Sequence, residues 1–360
     1  MPGAAAAPLC GLAVLEAGEG VAAGVAREIG NDCKDECNDP ARLAFLRQRA
    51  AAHRRSTYDP GAWGPTLWRI QGRNFVFLAP PLAWTTLLGA LWIIAIRLSP
   101  AAAGIARSMD GLRDSLQTVQ IALAFLLVFR LARAAQRFWE ARQGAGKMIE
   151  VCRYLSSNAA AHCADLPEYR DIFCRWTAAF PVATKNFLRF ERGLEGELVG
   201  LLSPLERQRL LDAANQPIFC LNTMRRAGVV WSRAEVKQGA SPELVAAGLW
   251  SLNKALDDLT GTFGGMERIN NTPLPFVYVA HLRLFLVLYI TAFPLLHAYA
   301  WGAGVVPVTF LVSFAFLGIE AAAVECETPF ARRPNHFPFD AFCILIGNEV
   351  EQTKIDIFRV

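Results

Sequence analysis

The stretch Leu116–Phe129, LQTVQIALAFLLVF, lies between Asp114 and Arg130, and its reading decides how the rest of the chain is understood. As a helix it is about 21 Å long, short of the roughly 30 Å hydrocarbon core of a bilayer. It carries two amides, Gln117 and Gln120, and runs directly into Arg130, Arg133 and Arg137. Such a helix is costly to expose to lipid and belongs among protein segments or against water. In a closed bundle both amides would need buried partners, whereas along an aqueous path water supplies them. Steps of four residues advance about 400°, so Ile121, Phe125 and Phe129 fall within about 80° of arc and form one apolar stripe. On spacing alone, a stripe of this kind reads first as helix packing.

The flanking sequence supplies the missing surroundings. Asn74–Ile96 has no ionisable side chain and is about 34 Å long as a helix, enough to cross a bilayer, with Arg73 and Arg97 at its ends. Leu284–Ile319 carries no formal charge over about 54 Å of helix, too long for one crossing. Trp301-Gly302-Ala303-Gly304 sits in its middle, where glycine permits a turn and tryptophan favours an interface. A hairpin is therefore expected, with crossings at about 275–300 and about 304–325. With the short stretch, this makes four crossings and puts both chain ends on one side. His53, Arg54, Arg55, Arg69 and Arg73 precede the first crossing, and Arg130, Arg133 and Arg137 follow the second. This basic bias places the termini on the cytoplasm-like side.

Composition agrees with a membrane protein that has a sizeable polar part. Of 360 residues, 53% are hydrophobic and 19% charged, which excludes intrinsic disorder of the whole chain. The 36 Lys+Arg and 32 Asp+Glu leave only +4, too little and too scattered for a nucleic-acid surface. Nine cysteines spread from Cys10 to Cys343 do not describe a disulfide framework.

Residues 136–270 hold most of the charge and read as helices inserted between the second and third crossings. Ser203-Pro204-Leu205-Glu206 has capping-box spacing with proline in the first turn. Asp165-Leu166-Pro167-Glu168 repeats it, Ser241-Pro242-Glu243 is a weaker version, and Leu244, Ala247, Gly248, Leu252 and Leu256 recur at helical spacing. The expected organisation is an N-terminal segment (1–62, partly disordered), the first two crossings (63–135), a helical extramembrane domain (136–270), crossings three and four (271–326), and a C-terminal extramembrane segment (327–360). The first 26 residues, rich in Ala and Gly, fit neither a signal peptide nor a transit peptide.

No constellation for catalysis, cofactor or metal emerges. The five histidines form no HExxH, and Cys33 and Cys37 lack a second pair. Gly261, Gly264 and Gly265 lack the lysine and strand of a phosphate loop. Glu320, Glu325 and Glu327 at the end of the last crossing admit a proton relay, a cation site or a solvated helix end, and the last is the preferred expectation.

Three stretches together resemble the bestrophin family of pentameric anion channels, particularly its bacterial, algal and plant-thylakoid branch. They are Phe125–Gly144 (FLLVFRLARAAQRFWEARQG), Gly265–Tyr289 (GMERINNTPLPFVYVAHLRLFLVLY) and Phe316–Phe342 (FLGIEAAAVECETPFARRPNHFPFDAF). Their order and spacing match over roughly residues 63–352. The resemblance implies an all-α membrane protein without enzymatic activity or cofactor. It implies a homopentamer in the lipid bilayer, with one axial pore for chloride, bicarbonate or nitrate and no nucleic-acid partner. It assigns the hydrophobic neck to Ile121, Phe125 and Phe129; by their place on the helix Gln117 and Gln120 above the stripe, and Arg133 about 40° around from Phe129, are the polar or charged pore-mouth candidates, with an ion pair the alternative for Arg133. Arg130, on the opposite side of the helix from Ile121, is expected to pack between helices or pair with a carboxylate. The plasma membrane and the thylakoid membrane both remain open, as do a cation-conducting pore and a non-conducting helical interaction protein. Animal members carry a calcium-binding aspartate run after the Pro-Phe pair. Here Ala331-Arg332-Arg333-Pro334-Asn335-His336 stands there instead, so calcium activation is not expected.

Overall fold

The structure, a computed structural model, describes residues 61, 63–68, 75–191 and 194–357. The expectations for the first 26 residues, for the rest of the N-terminal segment up to residue 60, and for Cys33 and Cys37 lie outside the described residues. Among the described residues every regular element is helical. In chain order these are α1 (Trp63–Trp68), α2 (Phe75–Leu98), α3 (Pro100–Met109), α4 (Arg113–His162), α5 (Pro167–Arg189), α6 (Leu194–Glu197), α7 (Pro204–Asp212), α8 (Gln216–Lys237), α9 (Pro242–Asn271), α10 (Phe276–Trp301), α11 (Val305–Glu327) and α12 (Phe339–Ile357). Single 3-10 turns, Asp110–Leu112 and Gly302–Gly304, join α3 to α4 and α10 to α11. The chain divides into an apolar unit, from Pro60 to Glu140 with Asn271–His336, and a polar unit, Ala141–Asn270 with the residues from Phe337 on.

Among the described residues, three helical runs are long and apolar enough to cross a membrane: Val76–Leu98, Pro100–His162 and Phe276–Glu327. The last is the expected hairpin, and its turn falls at Gly302, whose φ of 51° is left-handed and favours glycine. Leu123 and Leu127 of α4 pack with Leu78 of α2, Leu282, Leu286, Tyr289 and Phe293 of α10, and Leu317 of α11. Two polar ties lock α2 against this hairpin. Thr85 Oγ1 donates to Ser313 Oγ at 3.1 Å, and Trp92 Nε1 donates to the Leu295 carbonyl at 3.3 Å. Between them α2 and α10 come so close that a Cβ on Gly89 would lie 3.1 Å from Cβ of Pro294. The connection between α2 and α4 contains α3. Its signal was Ser99-Pro100, where Ser99 Oγ accepts from the Ala102 N–H at 3.4 Å and proline opens the first turn. Helix α4 runs unbroken through residues 135 and 136.

In the polar unit, α5 is buried along nearly its whole length despite three cations, Arg170, Arg175 and Lys185. Each charge that goes inside must bring a partner. Arg175 donates to Asp171 Oδ2 and to Glu206 Oε2, both at 2.8 Å. Lys185 reaches Glu197 and Asp340, the latter at 3.0 Å. The capping box expected at Ser203 is present, with Glu206 returning to the Ser203 N–H at 3.2 Å, so Glu206 both caps α7 and neutralises Arg175. Two local expectations are corrected. Helix α5 is N-capped by Leu166, without a side-chain bond, rather than by Asp165. The buried face of α9 runs through Val245, Gly248, Leu252, Leu256 and Leu259, while Leu244 is 74% exposed and Ala247 is also exposed. Gly248, Leu252 and Leu256 belong to the buried face as expected, and only in the first turn does Val245 take the place of Leu244 and Ala247.

Helix α12 is held to α5 by Asp340, between Lys185 and Arg189 at 3.0 and 3.1 Å. Burial opposes ionisation of Asp340, but the charges and hydrogen bonds of Lys185 and Arg189 outweigh it and hold the carboxyl well below its ordinary range. A lowered carboxyl stabilises the fold above the unfolded value of 3.8, and that contribution fades as pH falls through the folded value. Asp340→Asn is expected to cost about 2 kcal/mol at pH 7. The cost is read as a lowered Tm of detergent-solubilised protein, with the difference from wild type narrowing below pH 4.

Candidate functional site: the bare face of the fourth helix

Within the apolar unit, α4 has two unlike faces. Leu123, Leu127, Arg130 and Ala134 are fully buried, the two leucines among residues of α2, α10 and α11 and Arg130 against the end of α11. On the other side Ile121, Phe125 and Phe129 are 63%, 62% and 61% exposed, although each is a large apolar side chain. Helix geometry puts Ile121 and Phe129 about 40° to either side of Phe125, so the structure brings all three expected neck residues onto one face. Val128 and Trp139 widen that face.

The polar candidates are distributed differently. Gln117 is exposed about 80° from Phe125, at the edge of the stripe, and Gln120 is exposed about 140° away. Arg133 is exposed and donates to Gln136 Oε1 at 3.2 Å, and Gln136 Nε2 donates to Glu140 Oε1 at 3.0 Å. Gln136 lies within about 20° of Phe125, three turns further on. Its signal in the sequence is the spacing of eleven from Phe125, which crosses the run of arginines. Beyond the stripe the bare face therefore continues as a hydrogen-bonded row of a cation, an amide and a carboxylate.

Directly behind the stripe, the three family-like stretches meet. Arg130 Nη2 donates to Glu327 Oε2 at 2.5 Å, and Arg130 Nε lies 3.4 Å from Glu320 Oε2. Glu320 Oε1 accepts from Arg283 Nε at 2.8 Å, and Glu327 Oε1 accepts from the Leu274 N–H at 3.2 Å. Arg137 Nη1 donates to the Thr272 carbonyl at 2.7 Å. Arg130 thus takes the carboxylate partnership expected of it. The reading of Glu320 and Glu327 as a solvated helix end is corrected, because both are drawn inward by an arginine distant in sequence.

The loop after α11 closes on itself. Arg333 Nη1 lies 3.1 Å from Glu325 Oε2, and Asn335 Nδ2 donates to Glu325 Oε1 at 3.4 Å. His336 donates from Nδ1 to the Ala331 carbonyl at 2.9 Å, while its Nε2 lies 3.4 Å from Glu325 Oε1. Burial pushes the His336 imidazole below its ordinary value. Glu325 is thereby engaged by the Arg333 guanidinium and the Asn335 amide, with the His336 ring beside it. Among the described residues, no group of three or more His, Cys, Asp or Glu is placed to hold a metal ion.

Large apolar side chains stand exposed on α2 (Trp84, Leu87, Leu91, Ile94) and α10 (Leu284, Leu288) as well as on α4, and a bundle of long apolar helices with such faces is that of a helical membrane protein. Comparison with known proteins gives the particular family. Residues 55–352 match the model of the bacterial/fungal bestrophin proteins, and the chain belongs to that family. It is 33% identical over 238 residues to a voltage-dependent anion channel-forming protein of Nostoc, covering 64% of this chain and 74% of that protein. It is 28% identical over 234 residues to a voltage-dependent anion channel-forming protein of Escherichia coli K12, covering 64% and 73%. Its fold is similar to the crystal structure of a variant bacterial bestrophin homologue from Klebsiella pneumoniae. That similarity has a TM-score of 0.66 at 23% identity and covers 77% of this chain and 98% of that one.

With Glu325 occupied by Arg333, Asn335 and His336, conduction is expected to be independent of micromolar calcium. Current recorded across chelation from the submicromolar to the millimolar range checks this, and a steep, reversible loss of current on chelation would contradict it.

Proposed function

We propose that the chain is one subunit of a homopentameric membrane channel that conducts anions, with α4 of each copy lining a single axial pore. The observation that carries the reading is the bare face of α4, on which Ile121, Phe125 and Phe129 are more than 60% exposed while the opposite face is buried. An apolar stripe open on an isolated protomer calls for lipid, neighbours or a lumen, and the charge-free stretch carrying this one, 116–129, is shorter than the core of a bilayer. Five copies around an axis turn the stripe into an apolar ring, which gates by dewetting. The names of the Nostoc and E. coli relatives support an anion as the permeant species.

In this reading residues 63–135 and 271–326 supply four crossings: α2, the apolar part of α4, α10 and α11. Residues 136–270 and 327–360 lie outside the bilayer on the side of the termini. Ile121, Phe125 and Phe129 form the neck. Gln117, at the edge of the stripe, solvates the approach, Gln120 stands about 140° from Phe125 and lies off the path, and Arg133 with Gln136 and Glu140 follows the neck. Arginine near a pore mouth favours anions over cations. Chloride is the simplest substrate, and bicarbonate and nitrate share its charge.

The test is the triple variant Ile121→Ala, Phe125→Ala, Phe129→Ala, studied as an assembly that native mass spectrometry shows to contain five chains. Single-channel conductance is expected to rise, or gating to weaken. Unchanged single-channel currents in the folded variant, or a wild-type protein that is solely monomeric or dimeric, would contradict the axial neck.

A further inference from the structure

Arg130 is the residue after Phe129, about 100° around a continuous helix, and it points to the protein side while Phe129 points to the bare face. Its exposure is 0%, in a unit otherwise packed with leucine and aromatic side chains. Apolar residues of similar volume would fill such a place at no loss of stability. An ionisable group retained among apolar crossings is in general tied to function. Arg130 and Arg283 face Glu320 and Glu327, so the cluster has two charges of each sign and no net charge.

The cluster is not saturated. Arg130 Nε and Nη1 and Glu320 Oε2 have no hydrogen-bond partner, although the Nε to Oε2 distance is only 3.4 Å. The guanidinium is bonded to Glu327 through Nη2, while its Nε stands 3.4 Å from Glu320 without a hydrogen bond, so closing the second contact requires it to turn. Because side chains on one helix turn together, the partner that holds Arg130 sets the rotation of the Phe129 end of the stripe. Glu327 is in turn fixed to the start of α10 through the Leu274 N–H. The cluster therefore joins α4, α11 and the turn before α10 at one point.

We propose that Arg130 is the positioning residue of the neck: its bond to Glu327, in competition with Glu320, sets the rotation of α4 and with it the aperture at Phe129. This role rests on the reading of Ile121, Phe125 and Phe129 as the neck. It is tested in planar bilayers with full-length Arg130→Gln, Glu327→Gln, the double variant, and Arg130→Lys, each confirmed as an assembly of wild-type size. Either glutamine variant is expected to change open probability at fixed voltage about tenfold, the scale on which contacting groups couple two conformations. The reversal potential stays unchanged. The double variant matches a single one rather than the product of both, because both changes remove the same bond. Arg130→Lys, which keeps the charge, restores most of the wild-type behaviour. If Arg130→Gln fails to assemble, Glu327→Gln, which leaves Arg130 its second carboxylate, carries the test. Wild-type gating in the glutamine variants, or additive effects in the double variant, would overturn the proposal. The triple-alanine neck variant separates the two readings. Unchanged currents there overturn the neck and this role with it, whereas altered currents there beside wild-type gating in Arg130→Gln and Glu327→Gln overturn the role of Arg130 alone.

Discussion

The interaction on which the apolar unit turns is the burial of the Arg130 guanidinium between Glu327 and Glu320. A lone charge in such a place is prohibitively costly, and removing one partner of a buried pair typically costs about 3–5 kcal/mol. The chain therefore has to bring the end of α11 to the middle of α4, and the second oxygen of Glu327 brings the turn before α10 with it. The fully buried Leu123 and Leu127 lie on the same side of α4 as Arg130, so fixing the arginine also fixes which side of the helix faces its own protomer. What is left over is the stripe of Ile121, Phe125 and Phe129. Its exposure is the complement of the ion pair behind it.

The polar unit follows the same rule with different members. Arg175 and Lys185 are buried on α5, and each is met by carboxylates from other helices, Glu206 for one and Glu197 with Asp340 for the other. In both units the apolar contacts are numerous and interchangeable, while the charge pairs are few and specific in register.

The sequence showed the apolar helices and the hairpin turn because those depend on composition along one segment. The uncharged run 284–319 could not be a single helix of useful length, and Trp301 to Gly304 marked where it bends. The stripe on α4 was legible for the same reason, being periodic within fourteen residues. What was not legible depends on partners far away in the chain. Glu320 and Glu327 looked like the wet end of a helix until Arg130 came beside them. On α9 the buried positions 248, 252 and 256 were legible, but not the start of the face, because Leu244 and Val245 are equally apolar and only the packing of neighbouring helices chooses between them. Asp165 offered a cap of the right type, but the backbone began α5 one residue later. Gln136 was visible in principle, since three turns past Phe125 return to the same face.

The central claim is that the bare face of α4 lines a path for anions. The reversal potential of purified wild-type protein in a planar bilayer with unequal chloride on the two sides tests it most directly. The account predicts a reversal potential close to the chloride equilibrium potential, whichever alkali cation accompanies it. A reversal potential that follows the cation gradient, or the absence of any current from a correctly assembled protein, would contradict it.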